Sequence, residues 1–285
     1  MSADSIKTVA VLGAGTMGNG IAHVFAAAGF RVILRDVETA FLDRGLATIG
    51  KNLDREVKKG KITDADKAAT LARIQPSTDI VTLMGADFVV EAVPEQRDLK
   101  VRVLKEADAV LGPGVILASN TSSISISDLA SQTRRPDRFI GMHFFNPVPV
   151  MPLVEVVRGR ATSEATFQTA VSLCEKLGKK PVAVNDSPGF VANRVLMPMI
   201  NEAAYAVMER VATSEAVDAV MKLGMNHPMG PLELADLIGL DVCVGILEVL
   251  ETGFNDPKFR PCPLLKEYVA AGRLGRKSGQ GFYKY

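Results

Sequence analysis

Apolar and polar positions follow two rhythms along the first two thirds of the chain. Short continuous apolar runs are typical of strands buried on both faces, and the stretches between them have the three-to-four-residue spacing of helices. The first run, at 7–14, stops at glycines, and helical spacing over 16–29 follows with Gly29 as its expected stop. Further strands are predicted at 31–36, 87–93, 114–120, 139–145, 153–157 and 181–185, and a helix at 97–111.

This alternation predicts an α/β fold, a doubly wound and mostly parallel sheet with helices on both faces. The interval from Glu38 to about Ile74 departs from it, because it holds two helical segments where a strand–helix–strand unit needs one. Thr63 is the expected N-cap of the second segment. We therefore predict an inserted helical hairpin at about 38–75 that projects from the sheet domain.

The strand signal vanishes after the turn-rich segment Ser187-Pro188-Gly189. We therefore predict an α/β domain at 1–186 and an all-α domain at 187–285. The helical part is rich in Leu, Met, Val and Ala, which predicts an apolar surface and a homodimer through this domain. Its helices are predicted at 191–210, 214–224, 231–253 and 264–275.

Composition and charge narrow the class of protein. Of 285 residues, 47% are hydrophobic and the net charge is +1, without long blocks of one sign, so no nucleic-acid or membrane partner is indicated. Cys174, Cys243 and Cys262 are far apart, which argues against a disulfide framework and against a metal site. Cys174 is expected to be a small buried hydrophobe rather than a nucleophile. Unpaired thiols, and no signal-like segment before the first strand, predict a cytoplasmic protein.

The segment VAVLGAGTMGNG carries the spacing G-x-G-x-x-G between the first strand and the first helix. In this context Gly13 permits a tight turn, Gly15 lets the backbone approach a pyrophosphate, and Gly18 allows close packing. The helix start at Thr16 and Met17 offers N–H groups to the phosphates. The alternative is a glycine-rich turn that binds no cofactor.

Asp36 ends the second strand, where a carboxylate would bind both hydroxyls of an adenosine ribose. A 2′-phosphate would be repelled there, so NAD is favoured over NADP. Arg31 and Arg35 lie close by and weaken this discrimination.

The chain has three histidines, and His143 is the one expected at the carboxyl end of a strand, where ligands bind in open α/β sheets. A neutral imidazole suits removal of a hydroxyl proton. Glu155 follows on the next strand, and a turn through NPVPVMP would bring it beside His143. The alternative is a satisfied core histidine with an unrelated glutamate. His23 is expected to pack inside the first helix, and His227 lies in a loop.

The chain resembles the short-chain L-3-hydroxyacyl-CoA dehydrogenases, and among them the bacterial 3-hydroxybutyryl-CoA dehydrogenases. The resemblance covers nearly the whole sequence. It rests on GAGTMGNGIA, ASNTSSISI, RFIGMHFFNPVPVMPLVEVV, DSPGFVANR, MKLGMNHPMGPLELADLIGLD and GRKSGQGFYKY.

The resemblance implies a role for several residues. His143 matches the general base and Glu155 its partner carboxylate, Ser122 hydrogen-bonds the substrate's 3-oxygen, and Asn193 completes the site. The same resemblance places Lys59, on the hairpin, at the CoA moiety. The cofactor set implied beyond the glycine loop is Asp36, Glu95, Lys100, Asn120 and Asn146.

The residues taken alone leave alternatives open. Arg55, Lys58 and Lys59 suit a phosphate-bearing substrate but also describe an ordinary solvated basic face. Ser122 and Asn193 are also residue types that cap helices. The expected function is NAD-dependent oxidation of an L-3-hydroxyacyl-CoA. The rival functions are dehydrogenation of another hydroxy acid, and NAD binding without catalysis.

Overall fold

The computed structural model describes residues 3–285 and divides into two compact units. The first ends at Asp186 and the second is Ser187–Tyr285. The described part of the first unit contains one eight-stranded sheet and six α-helices. Its strands are β1 (Thr8–Leu12), β2 (Arg31–Arg35), β3 (Ile74–Ser77), β4 (Phe88–Glu91), β5 (Ile116–Ser119), β6 (Phe139–Phe144), β7 (Leu153–Arg158) and β8 (Lys180–Asn185). Its helices are α1 (Thr16–Ala27), α2 (Thr39–Lys58), α3 (Asp64–Ala72), α4 (Arg97–Val110), α5 (Ile126–Ser131) and α6 (Glu164–Lys176).

The sheet has the order β3-β2-β1-β4-β5-β6-β7-β8. All neighbouring strands are parallel except β6 and β7, which are antiparallel. The central strands are buried along their whole length, as their continuous apolar runs predicted. The chain order reverses at β1, between β2 and β4, which is where ligands bind in sheets of this kind. The mostly parallel sheet predicted from the sequence is confirmed.

The sequence pattern did not predict one strand, β3. Residues of β3, Ile74–Ser77, pair with β2 at the edge of the sheet, but their sequence IQPS lacks an apolar run. Pro76 cannot donate a ladder hydrogen bond and is tolerated because β3 is an edge strand.

The two helices of the inserted segment are α2 and α3. Thr63 caps α3 as predicted, in a reciprocal capping box with Asp66. The helix α2 does not project freely along its whole length. Leu42, Ile49 and Leu53 belong to the core of the sheet unit, and a Cβ on Gly45 would lie 2.9 Å from the Ala14 carbonyl oxygen. The opposite face of α2 is exposed along the helix, and its last turn carries Arg55 and Lys58 into solvent.

The second unit is helical, as predicted, but the helix predicted at 231–253 is two helices. Gly239, with φ of +107°, separates them, a backbone conformation that L side chains rarely adopt. The helix predicted at 264–275 also ends early, before Gly272. The helices are α7 (Ala192–Met208), α8 (Ser214–Gly224), α9 (Pro231–Ile238), α10 (Leu240–Phe254) and α11 (Pro263–Ala270).

Two buried carboxylates hold the final residues of the chain against these helices. Asp236 accepts hydrogen bonds from the backbone N–H groups of Phe282 and Tyr283, each at 2.9 Å. Asp218 accepts the Tyr283 hydroxyl at 2.7 Å and the N–H of Leu232 at 2.9 Å. The terminal segment is thereby part of the folded unit.

All three cysteines are buried and unpaired. Burial raises the pKa of Cys174 and of Cys243 to about 12 and also raises the pKa of Cys262. The Cys174 thiol is therefore a packing group, as predicted, and does not act as a nucleophile.

Candidate active site

The turn between β1 and α1 has the geometry of a phosphate-binding loop. Gly13 has φ of +98°, and a Cβ there would lie 2.8 Å from the Ala92 carbonyl oxygen. A Cβ on Gly18 would lie 1.7 Å from the Gly13 carbonyl oxygen, so only glycine lets α1 start this close to the turn. Space is open at Gly15, the N-cap of α1, and the first turn of that helix is free of acidic residues. The N–H groups at Thr16 and Met17 therefore suit a pyrophosphate.

Asp36 lies directly after β2, beside this loop. One carboxylate oxygen accepts the Ala14 N–H at 2.7 Å and the other accepts the Val37 N–H at 2.7 Å. These bonds fix the carboxylate at the edge of the loop and leave it acceptor capacity for ribose hydroxyls. The glycine loop and Asp36 together fit NAD.

His143 and Glu155 form a buried pair on adjacent antiparallel strands. They are directly opposite in the β6–β7 register, and Nδ1 of His143 lies 2.7 Å from Oε2 of Glu155. His143 is 8% exposed and Glu155 is 2% exposed. A carboxylate at Nδ1 favours the tautomer that places the proton there, so Nε2 carries the lone pair that can accept a proton. The ring also packs on Phe145, with centroids 4.5 Å apart.

Ser122 lies in the segment that follows β5, and Glu95 organises this segment. A single oxygen of Glu95 accepts the Thr121 hydroxyl at 2.6 Å and the backbone N–H groups of Ser122 and Ser123 at 2.8 and 3.1 Å. Desolvation raises the pKa of Glu95, but the Lys100 ammonium and these hydrogen bonds outweigh it, so the pKa lies below its ordinary value. The ionised carboxylate therefore positions the Ser122 backbone.

Beneath this segment lies an ion pair in the core. Lys100 is 1% exposed and Glu91 is fully buried, with Nζ 2.7 Å from Oε1 of the glutamate. The other Glu91 oxygen accepts the Ser119 hydroxyl at 2.6 Å. The Lys100 ammonium also meets Glu95 at 3.2 Å and donates to the Val93 carbonyl oxygen at 3.0 Å. The contacts of Glu95 and Lys100 with the cofactor stay predictions, and in the structure both residues organise the ends of β4 and β5.

The two asparagines of the predicted cofactor set differ in environment. Asn120 is buried, and its side-chain oxygen accepts the Phe144 N–H at 2.9 Å, which ties the end of β5 to the end of β6. Asn146 is exposed and starts the connection from β6 to β7, where its peptide bond to Pro147 is cis. Both lie at the carboxyl edge of the parallel strands, the edge that also carries the glycine loop.

Two predicted residues remain, one in each unit. Asn193 is buried in the first turn of α7, in the second unit, and its N–H donates to the Gly189 carbonyl oxygen at 3.1 Å. Lys59 follows α2 and is exposed, as are Arg55 and Lys58. The substrate contacts of Asn193 and Lys59 stay predictions.

The other two histidines have different surroundings. His23 is 2% exposed on α1, and burial, assisted by the charge of Lys179, lowers its pKa to about 4. It is therefore a neutral packing residue, as expected. His227 is half-buried in the loop after α8. Within residues 3–285, no group of three or more His, Cys, Asp or Glu side chains could hold a metal ion. No helix in that range could cross a membrane.

No role was predicted from the sequence for Glu91, Lys179 or Asp186. Asp186 accepts the Ser125 hydroxyl and the N–H groups of Ile126 and Ser127, so the last residue of the first unit caps α5. The signal for Glu91 was a single charge inside the apolar run DFVVEAV. A charge in such a run needs a buried partner.

Comparison with known proteins agrees with this geometry. The model of the 3-hydroxyacyl-CoA dehydrogenase NAD binding domain matches residues 8–187, and that of the C-terminal domain matches 189–285. A probable 3-hydroxybutyryl-CoA dehydrogenase from Bacillus subtilis (strain 168) is 55% identical over 98% of both chains. A 3-hydroxybutyryl-CoA dehydrogenase from Bradyrhizobium diazoefficiens is 54% identical over 98% of this chain and 96% of that one. The crystal structure of (S)-3-hydroxybutyryl-CoA dehydrogenase PaaH1 from Ralstonia eutropha is 56% identical, with a TM-score of 0.96 over 99% of both chains.

The doubly wound sheet, its dinucleotide loop and the matching NAD binding domain place the chain among the NAD-binding oxidoreductases. With both domain models matched along its length, the chain belongs to the 3-hydroxyacyl-CoA dehydrogenase family. The resemblance noted from the sequence is thereby confirmed, and so are NAD as cofactor and dehydrogenation of 3-hydroxyacyl-CoA as activity.

Proposed function

We propose that the substrate pair is (S)-3-hydroxybutyryl-CoA and acetoacetyl-CoA, and that His143 and Glu155 form the acid/base dyad of the reaction. The observation that carries the proposal is the 2.7 Å bond of these two residues near the carboxyl end of β6, on the sheet edge that also carries the glycine loop. The names of the relatives that match over nearly their full length support a short acyl chain.

The residues of the chain handle the proton. Bound NAD supplies the acceptor for the hydride that leaves C3 of the substrate. His143 removes the 3-hydroxyl proton through Nε2, and the Glu155 carboxylate stabilises the imidazolium through Nδ1–H. In the reverse reaction the imidazolium returns the proton to the oxygen. Burial of the pair strengthens its electrostatic interaction.

Ser122 and Asn193 hold the reacting oxygen or the thioester in this proposal. The Ser122 hydroxyl lies 3.2 Å from Glu95, a long and therefore weak bond for a hydroxyl donor. In the proposed reaction the hydroxyl exchanges this bond for one to the substrate, while the backbone N–H of Ser122 stays bound to Glu95. The serine would thus reorient without movement of its segment.

We propose that the exposed basic end of α2 binds the phosphates of CoA. Arg55, Lys58 and Lys59 lie within about one helical turn of each other and face solvent. Lysine and arginine at such a position provide an electrostatic anchor for an anionic handle far from the reacting carbon.

The proposal is tested by mixing the protein with acetoacetyl-CoA and NADH and following loss of the reduced cofactor. We expect rapid NADH oxidation, little with NADPH because of Asp36, and none with free acetoacetate. Reduction of free keto acids without CoA would support the hydroxy-acid rival. Binding of NADH without turnover of any of these compounds would support a non-catalytic NAD-binding protein.

We further propose a homodimer formed through the second unit. Val211, Val220, Leu223 and Met225 are large apolar residues exposed on or beside α8, and Leu223 is 88% exposed. A second copy of the chain can cover such a surface. Sedimentation at micromolar concentration should give twice the chain mass of 30.5 kDa, and Leu223→Lys should shift it toward the monomer. A monomeric wild-type protein would contradict this proposal.

A cytoplasmic location is proposed from the cysteines. All three thiols are free, a state that a reducing compartment maintains. Fractionation of the native cells would test it, and recovery of the protein outside the cytoplasm would contradict it.

A further inference from the structure

The connection between the two strands of the dyad is held from two sides. It runs from Phe145 to Pro152, after the strand of His143 and before the strand of Glu155. Five of its eight residues are exposed, but Val148 is buried and only 2% exposed. A connection of eight residues with one buried side chain needs other anchors to keep a single conformation.

Lys179 is one of these anchors. It follows α6 and precedes β8, and its side chain is buried, with 8% of the residue exposed. Its ammonium donates to the carbonyl oxygens of Val148 at 2.5 Å and of Met151 at 2.9 Å. Within residues 3–285, no carboxylate forms an ion pair with it. Both of its bonds go to the connection between β6 and β7.

A buried ammonium without a counter-ion is costly, and burial lowers the pKa of Lys179. Leucine or methionine would fill the same space without that cost. The lysine therefore contributes what an apolar residue lacks, namely donors that fix two backbone carbonyl groups of the connection.

The second anchor is the cofactor-binding helix α1. A Cβ on Gly20 would lie 2.9 Å from the Cβ of Val148 and 3.0 Å from its Cγ2. The charge of Lys179 also contributes to the lowered pKa of His23, three residues farther along α1. The connection is thus packed between the helix that begins at the phosphate loop and the ammonium of Lys179.

We propose that Lys179 is a positioning residue. It fixes the β6–β7 connection, and with it Asn146, in the conformation that binds the nicotinamide cofactor. This inference rests on the proposed function. Asn146 is the second residue of the connection and lies two residues before Val148, so displacement of the anchored carbonyl groups displaces Asn146 as well. Lys59 and Ser122 lie on other segments, so CoA thioester binding does not depend on this anchor.

The test compares Lys179→Met with Lys180→Met, the same change at the adjacent, exposed position. We expect Lys179→Met to raise the KM and Kd for NADH and to lower kcat, each by roughly tenfold, because a small displacement of a positioning residue weakens binding and slows the reaction. The KM for acetoacetyl-CoA should change by less than about twofold. Lys179→Arg, which keeps a charged donor, should recover part of the NADH affinity. Lys180→Met should match the wild type.

Three results would overturn the inference. The first is an NADH affinity of Lys179→Met equal to that of Lys180→Met. The second is a rise in both KM values together with a large loss of thermal stability, which would indicate a structural role alone. If Lys179→Met does not fold, Gly20→Ala replaces it, because the added methyl group displaces Val148 from the side of α1. Unchanged NADH binding in Gly20→Ala is the third result. NADH binding is measured without turnover. An inactive wild-type protein would therefore count against the proposed function, but the NADH affinities of the variants could still be compared.

Discussion

His143→Ala should lower kcat for acetoacetyl-CoA reduction by on the order of a hundredfold or more, because it removes the group that transfers the proton. NADH affinity should stay within about twofold of the wild type, since the glycine loop and Asp36 lie on other segments. Steady-state kinetics and fluorescence titration with NADH measure the two quantities. His143→Gln is the matched variant, because it keeps a side-chain donor for Glu155 but cannot transfer the proton, and it should be as inactive as the alanine variant.

Glu155→Gln separates the two members of the pair. It keeps a hydrogen-bond acceptor for Nδ1 but removes the charge that stabilises the imidazolium, so its loss of kcat should be smaller and its pH–rate profile shifted. A folded His143→Ala variant that binds NADH and retains normal turnover would remove His143 from the reaction. An unchanged pH–rate profile in Glu155→Gln would return the pair to the role of a core contact.

Lys100→Met should lower the free energy of unfolding of the first unit by about 3 to 5 kcal/mol, the usual effect of removing one partner from a buried ion pair. The variant leaves the Glu91 carboxylate fully buried, with hydrogen bonds from Ser119 and the Val93 N–H as its remaining support. Urea unfolding at pH 7 measures the change. The exposed Lys105 on the same helix supplies the control Lys105→Met, expected within about 0.5 kcal/mol of the wild type.

Two further measurements identify the uncompensated charge as the cause. Burial already raises the pKa of Glu91 in the presence of Lys100, and without the ammonium the protonated form is favoured further. The folded variant then binds more protons than the unfolded one, so its stability falls as pH rises. The deficit relative to wild type should therefore be smaller at pH 5 than at pH 8. The double variant Glu91→Gln/Lys100→Met should recover more than half of the loss. Equal stability of Lys100→Met and Lys105→Met would contradict this account.

Local sequence patterns predicted the parts of the fold that depend on local order. The apolar runs located β1, β4 and β5 because strands buried on both faces need such runs. Glu155 lies opposite His143, as the short turn through NPVPVMP predicted. The break at Gly239 was missed because apolar spacing continues on both sides of it, and β3 was missed because it is a polar edge strand.

Local sequence patterns did not predict the contacts of the residues that position the site, such as Glu95 and Lys179. Glu95 binds a segment that lies 26 to 28 residues away, and Lys179 binds carbonyl groups 28 and 31 residues away. These separations are too long to follow from the spacing of residues within a helix or strand. A backbone carbonyl group is present at every position, so the residue type does not show which one accepts a bond. A buried charge in an apolar context shows that a partner exists, but the fold decides which partner it is.

The burial of all three cysteines has a practical consequence for work with this protein. Alkylating reagents attack thiolates, and a thiol with a pKa of about 12 that is closed off from solvent reacts only when the structure around it opens. The rate of labelling then measures how often the structure around each cysteine opens. Cys174 reports on the sheet unit, and Cys243 and Cys262 report on the helical one. Mass spectrometry of a single labelled sample can thus follow the separate unfolding of both units, without any added probe.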